Sequence, residues 1–263
     1  MIPLAPRRGQ RGRAAALASV LALVALLLGG CAVGTSTVAT SDVFAAAPWR
    51  VGERHEYRLR NSAGDEIGRG VLSTKQQGDR LVLEQAYTEA RADGAPPITD
   101  AITLQVDAKT LRPVEGARET ARRDDTGKPV VTRTSWAYRA GERETLRAKV
   151  ERPGASTSER ELAVRAHAYD NEAALWLWRG IAFAEGYDQA YVSVNPLDTT
   201  QQTVSLRVPQ REQVEVPAGK FEAWRILLRT GRAVRTAWIN TAPPHQIIRW
   251  DNGDLIFELV KSE

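Results

Sequence analysis

Few residues of this 263-residue chain have the type and spacing that chemistry needs. Cys31 carries the only thiol and follows the small residues Gly29 and Gly30. His55, His167 and His245 are widely separated, whereas zinc ligands usually recur within roughly two to five residues. No metal and no cofactor are expected from that pattern. The chain has no G-x-S-x-G elbow for a nucleophilic serine. A triad gathered from distant residues stays open, because triads are spatial. One glycine-lysine pair invites a phosphate reading, in "EVPAGKFEAW" at 215–224. A phosphate loop needs two glycines around four residues, then Lys and a hydroxyl residue, and a helix after it. Here Phe221 stands where the hydroxyl belongs, and a strand pattern follows through Trp224, Ile226 and Leu228. Pro217 presets φ and Gly219 allows a positive φ, so the segment is a corner between strands.

The surroundings of Cys31 explain its chemistry. Arg7, Arg8, Arg11 and Arg13 precede an apolar stretch from Ala14 to Leu28. That length suits a signal peptide and falls short of the roughly 20 residues of a spanning helix. Ending in Leu-Gly-Gly-Cys, the segment resembles the bacterial lipobox. The resemblance implies cleavage between Gly30 and Cys31, a diacylglyceryl thioether on Cys31 and an acylated new amine. An uncleaved anchor or a secreted protein with a stray cysteine is the alternative. Three acyl chains would hold the protein on a membrane, since one alone binds only marginally. Ala32 in place of Asp resembles the sorting signal for the periplasmic face of the outer membrane.

Removing residues 1–30 takes four arginines and no acids, which leaves bases and acids equal in number. The basic balance therefore belongs to the leader, and a nucleic-acid partner is not expected. With no second cysteine there is no disulfide, so a packed core must supply stability. Residues 31–48 read as the lipidated cysteine and a flexible tether of small, aperiodic residues. Residues 49–263 are long enough for a single β-rich domain.

Within that domain the pattern is period two. Tyr57 and Leu59, then Leu81 and Leu83, then Ile102, Leu104 and Val106, then Thr134, Trp136 and Tyr138 each mark one face of a strand. Gly, Asp, Asn and Pro clusters bound the runs, and Asp124, Asp125, Asp251 and Asp254 fall in turns. Asp251-Asn252-Gly253-Asp254 carries a strong hairpin signal. The expected fold is mainly β: a strongly curved antiparallel sheet or unclosed β-barrel meander. One short helix is expected near residues 171–180, with Asp170 or Asn171 as N-cap.

Several segments are similar to an uncharacterised bacterial envelope family of periplasmic proteins and lipoproteins with a domain of unknown function. They are "YRLRNSAGDEIGRG", "KTLRPVE", "LWLWRGIAFAEGYDQAYVSV", "VPAGKFEAWRI" and "AWIN…PPHQIIRW". The resemblance implies a curved antiparallel sheet akin to the unclosed barrels of lipoprotein carriers. It brings no catalytic residues.

The chain holds seven tryptophans against four phenylalanines. The plain reading is that they fill the core. The sharper one makes Trp176, Trp178, Trp224, Trp238 and Trp250 the lining or lid of a pocket. Trp176 and Trp178 lie two apart on the expected helix, so one is expected on the sheet and the other at a rim or membrane. Together these features favour a non-enzymatic lipoprotein binding an apolar or amphiphilic envelope ligand. The alternatives are an assembly protein presenting a sheet face to an envelope partner, and a hydrolase of envelope polymers.

Overall fold

A computed structural model describes residues 42–44, 47–89, 97–124 and 126–263. Gly30, Cys31, the leader and Asp125 lie outside the described residues. Fifteen strands form one sheet. In chain order they are β1 (Arg54–Asn61), β2 (Glu66–Gln77), β3 (Arg80–Glu89), β4 (Ile98–Asp107), β5 (Pro113–Arg123), β6 (Pro129–Arg139), β7 (Thr145–Glu151) and β8 (Ser158–Ala163). After them come β9 (Ala168–Asp170), β10 (Tyr187–Asn195), β11 (Thr200–Val216), β12 (Gly219–Thr230), β13 (Ala233–Asn240), β14 (Ile247–Asp251) and β15 (Leu255–Ser262). The helix, α1 (Asn171–Gly180), is tightly wound at both ends and lies between β9 and β10.

Two meanders, β1 to β8 and β10 to β15, are joined where β1 pairs with β15. The edges of the sheet are β8 and β9, which are consecutive in sequence. Only residues 164–167 separate them, so the chain bridges its own seam without a ladder. Side chains help: Gln201 Nε2 donates to Ala163 O and Arg165 N donates to Gln201 Oε1, each at 2.9 Å. The unclosed barrel expected from the sequence is what forms.

Two details differ from the expected meander. β9 pairs parallel with β10, because α1 intervenes and carries the chain back along the sheet. "TVSLRV" and "EQVEV" are one strand, β11, whose ladder breaks between Arg207 and Gln210. That irregularity accommodates Pro209, which has no N–H to give. The corner at 215–224 is a two-residue hairpin on Pro217 and Ala218, with Gly219 at φ 131°.

Strand alternation places Leu59, Leu83, Leu104, Leu146, Val194 and Leu206 inside the sheet, each at most 1% exposed. α1 fills the concave side. Its first residue follows Asp170, opposite Val194 near the end of β10. Its last turn reaches the other end of the sheet, where Arg179 Nε donates to His245 O at 3.0 Å. Between the floor of the remaining hollow and α1 is a void of only about 10 Å³, too small for more than one water. The concave face is therefore packed at one end and open at the other.

The tether expected over 31–48 does not extend to the domain boundary. Phe44 is 2% exposed, edge-on to Tyr169 and Tyr191 at 4.9 and 5.0 Å. Asp42 Oδ1 meets Arg112 Nη2 at 2.5 Å and His167 Nδ1 at 2.9 Å. An aromatic among small residues has a large apolar area to bury, which docks residues 42–44 onto β9 and β10.

Candidate functional site

The hollow is a cleft of about 330 Å³ at the end of the sheet bearing the β1–β2, β3–β4 and β5–β6 turns. Its floor is apolar: Leu59, Leu175, Trp178, Leu228, Trp250 and Phe257. One register step toward the mouth lie Tyr87, Asp100, Arg118, Glu172 and Gln202. At the rim are Glu89, Arg122, Thr230, Arg235 and Asp254. This layering follows from strand period two. Gln85, Tyr87 and Glu89 occupy successive inward positions of β3, and Ile102, Asp100 and Ile98 do so on β4.

Polar groups in the middle layer are bound to one another. Arg118 grips Asp100 with two bonds, Nε to Oδ1 at 2.8 Å and Nη2 to Oδ2 at 2.5 Å. Gln85 Nε2 donates to the carbonyl of Glu172 at 2.5 Å, and Tyr87 Oη donates to Gln85 Oε1. Burial pushes the Tyr87 phenol up, helped by the charges of Glu172 and Asp100. Burial likewise pushes the Glu172 carboxyl up, with Arg118 pulling the other way.

Behind the cleft, Asp170 holds the start of α1. Its Oδ1 accepts the Glu172 N–H at 2.8 Å, the N-cap expected from sequence. Its Oδ2 accepts Trp136 Nε1 at 2.8 Å and Tyr138 Oη at 2.9 Å. Burial, reinforced by the charge of Glu172, outweighs these bonds and pushes Asp170 up to about 7. Trp136 lies flat on Gly116, where an added Cβ would fall 2.4 Å from Cζ2.

The far end of α1 carries a second buried polar group. Arg179, Glu53 and His55 are 2–5% exposed. Arg179 pairs with Glu53 through both terminal nitrogens and donates to Pro244 O at 2.9 Å. His55 Nε2 lies 3.3 Å from Glu53 Oε1. Burial alone would raise Glu53, but His55 and Arg179 hold it down at about 2. His55 is thus buried. It sits on the inward phase of β1 beside a carboxylate that offsets its polarity.

The five tryptophans named as pocket residues separate. Trp178 and Trp250 meet at 4.7 Å between centroids and line the cleft. Trp176 does not line it, and Trp176 and Trp178 are both buried, at 1% and 5%. The expectation that one must reach a rim fails because the curved sheet surrounds α1, so two faces of the helix meet strands. For the same reason α1 is an internal plug and no lid. Trp224 stacks on Phe183 at 5.9 Å and carries Arg211 at 5.2 Å. Trp238 donates to Glu212 and carries Arg249. Neither lines the cleft.

A broader groove of about 820 Å³ crosses β4 to β8. Its strand residues include the ion pair Arg147–Glu161, and its one aromatic ring, Trp136, is 3% exposed. Its apolar lining is mostly small, Ala117, Ala137 and Ala148, between charged residues such as Lys149 and Glu159.

The polar middle layer was not singled out from sequence, though a signal exists. Gln85 and Tyr87 continue the inward phase of Leu81 and Leu83. Asp100 continues that of Ile102 and Leu104, and Arg118 lies opposite Ile102. Polar residues on the apolar phase of three adjacent strands mark a wetted interior.

Among solved structures, the chain is similar to a β-barrel-like protein of a domain of unknown function, DUF1849, from Brucella abortus. The alignment has 12% identity and a TM-score of 0.51, and covers 81% of this chain and 97% of that one. It shows a shared fold. A Bacteroides fragilis protein described as exported, with a YmcC-like fold, aligns at 12% identity over 85% of this chain and 100% of that one, at a TM-score of 0.31. A Parabacteroides distasonis protein described as a lipoprotein aligns at 8% identity over the same shares, also at 0.31. Those two scores are too low to carry an argument. No curated protein matches the chain. The family described as "Protein of unknown function (DUF3108)" matches residues 56–259, nearly the whole sheet from β1 to β15, and the chain belongs to that family.

Proposed function

We propose that this protein is a non-enzymatic bacterial envelope lipoprotein that binds a small amphiphile tail-first in the cleft. The observation that carries the reading is the layering of one hollow: aromatic and aliphatic floor, hydrogen-bonding middle, charged rim. That order matches a molecule with an apolar body and a polar head. A volume of about 330 Å³ lies at the low end of the ~300–1,000 Å³ usual for ligand pockets. A hollow of that size suits a single chain or ring.

An assembly role through a sheet face has less support. Among the described residues the exposed large hydrophobics are Val51 and Val234, which make no extended apolar patch. Anchoring rests on the Leu28-Gly29-Gly30-Cys31 motif, and Ala32 favours the periplasmic face of the outer membrane.

The test is a titration of the purified chain with alkyl maltosides below their micellar concentrations, read by tryptophan fluorescence. A saturable change of one-to-one stoichiometry is expected, because Trp178 and Trp250 form the floor. Strictly linear, unsaturable responses across all chain lengths would remove the proposal. For the anchor, radiolabelled palmitate should enter the chain and fail to enter the Cys31→Ser variant.

A further inference from the structure

We infer that the head of the cleft's ligand is a cation, an alkylammonium group whose counter-charge is Glu172; this rests on reading the cleft as an amphiphile site. The middle layer holds two carboxylates and one guanidinium. Arg118 commits Nε and Nη2 to Asp100. No described lysine, arginine or histidine nitrogen forms an ion pair with Glu172, although the residue lines the cleft; its largely buried carboxyl feels Arg118 only at longer range and is otherwise held by the Asn171 side chain. Carboxylates so placed normally have a cationic partner.

The walls suit the same partner. Tyr87, Trp178, Tyr191, Trp250 and Phe257 all contribute to the lining. Aromatic faces attract ammonium groups, more strongly where water is excluded. Asp170, one residue outside the cleft, adds a further carboxyl that Glu172 destabilises through its charge. A cation seated at Glu172 offsets the repulsion between the two carboxyls. Arg122 and Arg235 also line the cleft but are exposed at its rim, beside Glu89 and Asp254, where solvent screens them. The charge a ligand head meets in the middle layer is thus negative.

The experiment is calorimetric competition on the purified chain among dodecyltrimethylammonium, dodecyl maltoside and dodecanoate, all below micelle formation. Dodecyltrimethylammonium should bind about tenfold more tightly than the neutral maltoside, and dodecanoate most weakly. Glu172→Gln should erase the preference for the cation over the maltoside, and Glu172→Asp should restore part of it. The comparison of three ligands on the unsubstituted chain needs no variant and stands even if a variant folds poorly. Equal affinity for the cationic and neutral amphiphiles, or tighter dodecanoate binding, overturns the inference and leaves the amphiphile cleft standing. A preference that survives Glu172→Gln also overturns it. Binding of none of the three overturns the inference and the amphiphile reading together.

Discussion

The indole N–H of Trp136 donates to Asp170 Oδ2 at 2.8 Å, and that bond spans the seam of the sheet. Trp136 belongs to β6, two strands from one edge, and Asp170 ends β9, the other edge. The same carboxylate oxygen accepts Tyr138, and the other oxygen caps α1. One side chain therefore ties two sheet edges to the plug helix.

Asp170 makes stability fall as pH rises through neutrality. In the unfolded chain its carboxyl loses its proton near the ordinary 3.8, and in the folded chain only at about 7. Between those values the folded state holds the extra proton, so raising pH favours unfolding. The raised carboxyl of Glu172 acts in the same direction. Chemical denaturation at pH 5 and pH 8 should show a loss on the order of 3 kcal/mol at the higher pH, since about two pH units of the window lie above pH 5. Asp170→Asn should flatten the slope, and Asp170→Ala should lower stability at both pH values by stranding three donors.

Acid should weaken the opposite end of the sheet. The Glu53 carboxyl is held at about 2, so its contribution is complete above the ordinary 4.5 and lost as pH falls toward 2. The contribution is on the order of 3 kcal/mol. Removing Arg179 by Arg179→Met leaves a buried charge and should cost about 3–5 kcal/mol. The double variant Glu53→Gln/Arg179→Met should recover part of that loss, read by urea midpoints at pH 7.

Gly116→Ala should disturb Trp136, its cross-strand partner on β6. The new methyl would fall 2.4 Å from the Trp136 ring, far inside contact distance. Trp136 must shift and release Asp170. The expected result is a loss of about 1–3 kcal/mol and a changed near-ultraviolet dichroism band. Retention of both the band and the melting temperature would contradict the packing.

Phe44→Ala should cost about 3–5 kcal/mol, as deletion of a buried ring does. A chain whose ordered part began at residue 49 would show no change. The measurement is the melting temperature of the variant against the parent chain.

The sheet was legible in the sequence because its strands obey period two on one buried face, as Leu81 and Leu83 or Ile102 and Leu104 show. The helix was legible through Asp170, whose capping role is local. What escaped was whatever depended on the sheet curling round on itself. Trp176 and Trp178 look incompatible on a helix with one buried face, and both are buried because strands surround α1. Trp224 and Trp238 look like pocket residues by type alone, yet Phe183, Glu212 and two arginines satisfy them elsewhere. Asp100 and Arg118 read as one more cross-strand ion pair, and only their shared inward phase distinguishes them.

The pairing of β1 with β15 sets a timetable. His55 lies opposite Ser262, and the backbones of Arg54 and Glu263 exchange hydrogen bonds at 3.1 and 2.9 Å. A growing polypeptide cannot make that ladder until β15 has emerged. Contacts so distant along the sequence form slowly. Until then the two half-sheets must persist as separate curls with their greasy inner surfaces uncovered. Loss of β15 would leave β1 and β14 without their shared neighbour and the sheet split in two.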